Sequence, residues 1–185
     1  MEIIYVMGVT CVGKSTFMQR SVDIMGNKIG LVEVGKEMRK RYPPERFRGQ
    51  AAMADTEDEI FEIYTKQLKS QLDKEIILVD GQPRFESQVP RIWNQHPEIS
   101  KSCLWLHISD CVIQGRIRER FSIEDPTDCF EKGTQAAKRD LAQQRVTNDK
   151  IQLFPVLWLL ISRGVKITPL EHLSDFNHRL FWKGY

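Results

Sequence analysis

Short apolar, β-branched runs recur along the chain, separated by longer stretches whose apolar residues return with helical spacing. Ile3–Met7, Ile29–Val34, Ile76–Val79, Cys103–Ile108 and Val165–Thr168 read as five strands. Ile76-Ile77-Leu78-Val79 has no polar position, the pattern of a strand buried on both faces. Lys14–Met25, Thr56–Leu72, Ser87–Gln95, Cys111–Arg120, Gly133–Leu160 and Leu173–Phe181 read as helices. Gly26 and Gly164 stand where a helix must stop before the next strand. Asp55-Thr56-Glu57-Asp58-Glu59 supplies a capping side chain and then carboxylates for a first turn, where the helix dipole favours negative charge. The long stretch Gly133–Leu160 is expected to break near Thr147-Asn148 or at Pro155, because proline has no N–H to donate and its ring crowds the preceding turn. Strands that alternate with helices predict an α/β fold: a five-stranded parallel sheet with helices on both faces. Tyr42–Arg46 and Phe121–Lys132 are irregular, charged insertions, and the sequence shows neither a repeat nor a low-complexity tract.

Composition narrows the class without changing this picture. A chain of 185 residues, 41% hydrophobic and 28% charged, matches one soluble globular domain with a sizeable core. The 27 basic and 25 acidic residues nearly cancel, which gives no footing for general nucleic-acid binding. No apolar run reaches the roughly 20 residues that span a membrane. The chain opens directly on a strand, so a cytoplasmic protein without a leader is expected. Cys11, Cys103, Cys111 and Cys129 form no C-x-x-C pair and read as reduced thiols; His96, His107, His172 and His178 show no metal-ligand spacing.

The candidate chemistry begins at Gly8-Val9-Thr10-Cys11-Val12-Gly13-Lys14-Ser15, which fits G-x-x-x-x-G-K-[ST] between the first strand and the first helix. Glycines let the backbone curl until successive N–H groups face a polyphosphate, and the helix N-terminus adds partial positive charge. Gly8, Cys11, Val12, Gly13, Lys14, Ser15 and Thr16 are therefore expected to bind ATP, with Lys14 at the β/γ-phosphates and the Ser15 hydroxyl on Mg²⁺. The third strand ends in Asp80-Gly81-Gln82-Pro83-Arg84. Asp80 is placed either to hold Mg²⁺ through water or to end its strand in a tight turn.

Asp80-Gly81-Gln82-Pro83-Arg84-Phe85-Glu86-Ser87-Gln88 resembles the D-G-F-P-R-x-x-x-Q pattern of the nucleoside monophosphate kinases, in their adenylate-kinase-like group. Gly35-Lys36-Glu37-Met38-Arg39 is similar to that family's G-D-x-L-R, and Arg116 and Arg120 to its arginine pair before a mobile lid. The resemblance implies that Gly35, Arg39, Gly81, Arg84 and Gln88 bind the acceptor, with Arg39 and Arg84 on its phosphate and Gln88 on its adenine. It implies that Arg116 lies on the ATP base and Arg120 on phosphates. It also makes Lys14, Arg84, Arg120, Arg139 and Arg145 the catalytic set, of which Arg139 matches with shorter spacing. One domain spanning 1–185 follows, with a core of 1–34, 74–115 and 140–185, a monophosphate-binding insertion at about 35–73 and a short lid at about 116–139. That lid has no cysteine quartet, so the zinc-bearing lid of some relatives is absent, and the resemblance implies a monomer. Val34, Lys36 and Gln82 stand where the family has threonine, aspartate and phenylalanine, which leaves AMP, dAMP and modified purines open. Two other readings fit the phosphate loop: a kinase of a nucleoside, sugar or shikimate-type hydroxyl with Asp80 as its base, and a nucleotide-binding module without catalysis.

Overall fold

In the computed structural model the described residues are 1–41, 56–120 and 135–171, and of 135–138 only the backbone. Five strands, β1 (Glu2–Met7), β2 (Ile29–Val32), β3 (Ile76–Asp80), β4 (Ser100–Leu106) and β5 (Lys166–Leu170), form one sheet in the order β2-β3-β1-β4-β5. Every pairing is parallel. Six helices accompany them among the described residues: α1 (Lys14–Met25), α2 (Val34–Arg41), α3 (Glu57–Lys69), α4 (Gln88–Trp93), α5 (Asp110–Arg120) and α6 (Gln135–Ser162).

Parallel strands need crossovers, and those crossovers cover both faces of the sheet. Ile3, Tyr5 and Met7 of β1 point to one face, where α3, α4 and the C-terminal half of α6 pack through Ile60, Tyr64, Val89, Val156 and Leu160. Ile4 and Val6 point to the other, under Phe17 and Met18 of α1 and Ile113 and Ile117 of α5. The N-terminal half of α6 joins this second layer through Ala142 and Val146, so one helix is pinned to both cores. The chain leaves β1 toward β2 on one side and leaves β4 toward β5 on the other. Between those two strands the direction of winding reverses, and at such a point the carboxyl ends of the strands open a crevice for a ligand.

Three sequence expectations change. β2 stops at Val32, and Val34, expected as its last residue, opens α2 instead. The segment Lys36–Arg41 is built of helix formers, and Glu37 accepts a hydrogen bond from Arg41 Nε one turn on at 3.2 Å. The long helix does not break: α6 runs 28 residues straight through Pro155. Pro155 and Ile151 four positions earlier both lie on the exposed side of α6, so the carbonyl that loses its partner faces water. β4 begins and ends earlier than the apolar run suggests, at Ser100 and Leu106. The expected helix Leu173–Phe181 and the charged insertions lie outside the described residues.

Candidate functional site

The carboxyl ends of β1, β2 and β3 deliver three groups of residues to one edge of the sheet. From β1 comes the loop Gly8–Gly13, whose shape depends on two glycines. Gly8 has φ +147°, and a Cβ there would lie 2.7 Å from the Leu106 carbonyl oxygen and 2.9 Å from Val12 Cγ1. Gly13 caps α1 in the left-handed region at φ 104°. Cys11 holds φ 64° without being glycine, a strained conformation in a half-buried residue. Val12 is buried and anchors the loop, and Ser15 and Thr16 stand exposed in the first turn of α1. Lys14 Nζ donates to the Gly8 and Val9 carbonyls at 2.7 and 3.0 Å. Burial lowers the Lys14 ammonium below the ordinary lysine range, against the pull of the Asp80 and Asp149 charges.

From β3 come Asp80, Gly81 and Arg84. Gly81 sits at φ +60°, its N–H bonded to the Val6 carbonyl at 3.1 Å, and its missing Cβ would lie 3.8 Å from Lys14 Cε. The turn after β3 therefore rests directly on the loop lysine. Burial raises the Asp80 carboxyl above its usual range, although the Lys14, Arg39 and Arg84 charges act the other way. Asp80 Oδ1 is buried with no hydrogen-bond partner among the described residues. From the end of β2, α2 brings Gly35 and Arg39; Arg39 Nη1 lies 3.5 Å from where a Gly35 Cβ would stand, and the Arg39 charge reaches Asp80. Lys14, Arg39, Asp80 and Arg84 thus share one electrostatic neighbourhood.

Gln88, the first residue of α4, uses its side chain locally. Its Oε1 accepts from the Arg84 and Phe85 backbone N–H groups at 2.7 and 3.3 Å. Those donors fix the amide orientation, so only Nε2, buried and unpartnered, remains to face a ligand. It lines a cleft between α3 and α4 with Ile60, Phe61, Tyr64, Gln82 and Arg91. Gln82 Oε1 is buried there without a partner as well. The carboxylates expected to start α3 also fasten α4: Glu57 accepts from Ser87 Oγ and Asp58 from Arg91 Nη1, each at 2.8 Å.

Arg116 of α5 grips the loop itself, donating from Nη1 to the Val12 carbonyl at 2.6 Å. Arg120 stands exposed at the end of α5, Arg139 near the start of α6, and Arg145 half-buried in α6. One residue escaped the sequence reading. Asp149 Oδ2 accepts from Thr10 N at 2.7 Å and Thr10 Oγ1 at 2.6 Å, while Oδ1 accepts from Arg84 Nη2 at 2.7 Å. The one signal was spacing: Asp149 follows Arg145 by four, on the same face of a helix. Nothing local links it to Thr10, 139 positions away.

A divalent cation and a triphosphate fit these residues. The glycine cradle at Gly8, the amino end of α1 and Lys14 suit phosphate oxygens. The orphaned Oδ1 of Asp80 and the exposed Ser15 hydroxyl are hard oxygen donors. No cluster of three or more His, Cys, Asp or Glu among the described residues could hold a metal alone. The pair of oxygens on Ser15 and Asp80 suits Mg²⁺, which takes one or two protein oxygens and completes its shell with substrate phosphates and water. Among the described residues no helix is long and apolar enough to cross a membrane.

No protein-family model matches the sequence, and no curated protein matches it. Among solved structures, the chain is similar to the crystal structure of a "putative kinase" from Chloroflexus aurantiacus J-10-fl, with a TM-score of 0.65 and 15% sequence identity. That likeness covers 99% of this chain and 95% of the other. It is a likeness of fold: an α/β protein with a five-stranded parallel sheet and helices on both faces.

Proposed function

We propose that the protein is an ATP-dependent phosphotransferase of the nucleoside monophosphate kinase type, with AMP or dAMP as acceptor. The kinase class is supported by the fold shared with the Chloroflexus protein. The acceptor class rests on one observation: the Asp80–Arg84 turn lies against the loop lysine, and its arginine is bonded through Asp149 to the loop. A guanidinium fork that close to a phosphate cradle suits a second phosphate, not a neutral acceptor.

Phosphoryl transfer asks little covalent chemistry of a protein and much positioning and charge compensation. The loop amides and Lys14 hold the donor's phosphates. Ser15 and Asp80 would hold Mg²⁺, which supplies positive charge to the β and γ oxygens. Arg84 and Arg39 hold the acceptor phosphate, with residues 35–73 as its insertion. That phosphate is already ionised, so no general base is needed. Gln88 Nε2 donates to a base acceptor atom in the cleft of α3 and α4. Arg120 and Arg139 within a lid at about 116–139, and Arg145 just beyond it, close over the moving group and exclude water.

The unpartnered Asp80 Oδ1 favours one other reading, in which Asp80 takes the proton of a hydroxyl acceptor. Coupled assays with AMP, dAMP, GMP, CMP and dTMP against a panel of sugars and nucleosides separate the two. Lys14→Ala and Arg84→Ala should both abolish turnover, a single charged donor being worth roughly 10²–10³ in rate. Only Arg84→Ala should leave ATP affinity nearly intact. Loss of ATP binding in Arg84→Ala would reverse the donor and acceptor assignments.

A further inference from the structure

We infer that Asp149 is a positioning residue that ties the acceptor-binding arginine to the phosphate loop, so that both phosphates are held in one rigid frame. The inference rests on the kinase reading above and deepens it, giving a catalytic consequence to the residue that bonds Arg84 to the loop. Asp149 sits on α6, 65 positions from Arg84 and 139 from Thr10, and only the fold brings the three together.

The division of its two oxygens carries the argument. A carboxylate that met Arg84 with both oxygens would form a fork-to-fork pair and consume two guanidinium nitrogens. Here Oδ2 belongs wholly to Thr10, from which it takes a backbone and a hydroxyl hydrogen bond, and only Oδ1 meets Arg84. The Arg84 guanidinium donates through Nη2 alone; Nε and Nη1 have no partner among the described residues, and the side chain is 40% exposed. A guanidinium offers five N–H donors in a fixed plane. Asp149 thus fixes that plane by one corner and leaves the remaining donors facing outward for an incoming phosphate. The Asp149 side chain is only 12% exposed, so it is a sheltered strut. Its charge also reaches Lys14, the donor-side cation. One carboxylate therefore balances the two cations that bind opposite partners of the reaction.

The residue type is specific. Asparagine is the same size and keeps an oxygen for Thr10, but it turns an NH₂ group toward Arg84 Nη2, donor against donor. Asp149→Asn therefore cuts the arginine tie and spares the loop tie, while Asp149→Ala cuts both. Thr10→Val removes the hydroxyl bond and keeps the backbone one.

The test is steady-state kinetics on the full chain with ATP and AMP, together with ATP titration and thermal unfolding of each variant. Asp149→Asn should lose about 10- to 100-fold in kcat/KM for AMP, the cost of a misaligned reacting group. Its ATP Kd should stay within about threefold, because the tie to the loop is spared and only its charge assistance is lost. Thr10→Val should lose less than Asp149→Asn, and Asp149→Glu should recover part of the loss. An Asp149→Asn variant with wild-type kcat/KM for AMP overturns the inference. So does one whose ATP affinity and melting temperature fall in step with its activity, since that describes a staple that merely holds α6 in place. Should the wild-type protein phosphorylate no monophosphate at all, the kinase reading itself fails, and this role for Asp149 with it.

Discussion

The two sides of this site, for which we propose the donor and the acceptor, are built by different means. The loop after β1 is shaped by backbone: Gly8 packs without a Cβ against the Leu106 carbonyl, Gly13 turns left-handed into α1, and Lys14 and Arg116 bond the loop's own carbonyls. The acceptor side is held by side chains meeting side chains and turns: Gln88 under the Arg84 and Phe85 amides, Ser87 on Glu57, Arg91 on Asp58, Arg84 on Asp149. Backbone conformation accepts few residues at each position, so such a site is brittle to substitution and leaves a short motif. Side-chain bonds can be exchanged singly, so such a site can be retuned, and its parts are scattered along the chain.

The largest effect should therefore follow the smallest change, Gly8→Ala. The new methyl would meet the Leu106 oxygen at 2.7 Å in a backbone region that alanine avoids. Strain and overpacking together should cost about 2–4 kcal/mol of stability. ATP affinity should fall by two orders of magnitude or more, to about the level left when a phosphate cradle is lost. Titration of ATP into a variant shown folded by circular dichroism measures it. Wild-type affinity would mean that the loop is not fixed by its glycine, and the contrast drawn here would fail.

A smaller effect, of a different kind, is expected from Gln88→Leu. Leucine fills the space but leaves the Arg84 and Phe85 amides without their acceptor. A fully buried unpaired donor costs about 1–3 kcal/mol, and these part-buried amides should cost toward the lower end of that, visible in urea unfolding. The KM for AMP should rise while the ATP Kd holds, because the change lies wholly on the acceptor side. A parallel loss of ATP affinity would show that the two sides are not separable.

What the sequence made legible follows the same division. The loop and both ends of α1 were readable because glycine and lysine at fixed spacing have one backbone solution. The parallel sheet was readable because strands buried on two faces must be apolar at every position, as Ile77-Leu78-Val79 are. The end of β2 was misread because Val32-Glu33-Val34 continues a strand's alternation, while the following Glu37–Arg41 pair commits the segment to helix. Pro155 suggested a break because sequence alone does not say which side of a helix faces water. Asp149 left only its spacing from Arg145: its partners are Thr10 and Arg84, and a helical aspartate carries no mark of either.

The smallest predicted effect probes whether charge or shape holds the acceptor side together. Burial alone would raise the Asp149 carboxyl, but the Arg84 charge and the hydrogen bonds from Thr10 and Arg84 outweigh it and hold the group below the ordinary aspartate range. A carboxyl depressed in the folded state stabilises the fold above its unfolded value, about 3.9, and that contribution disappears as pH falls through the folded value. In the window between the two, the unfolded chain binds the proton first, so stability declines with falling pH. Asparagine resembles the protonated carboxyl and has no such dependence. Wild type should therefore exceed Asp149→Asn by about 1 kcal/mol near pH 7, the difference between a charge-assisted and a neutral hydrogen bond. The partial exposure of Arg84 keeps the gap from approaching that of a fully buried pair. Urea unfolding of both proteins from pH 7 down to about pH 3 should show the gap closing below the unfolded aspartate value. A gap that stays constant across that range would mean that Asp149 acts through shape alone, and the acceptor side would then be held in the same manner as the loop.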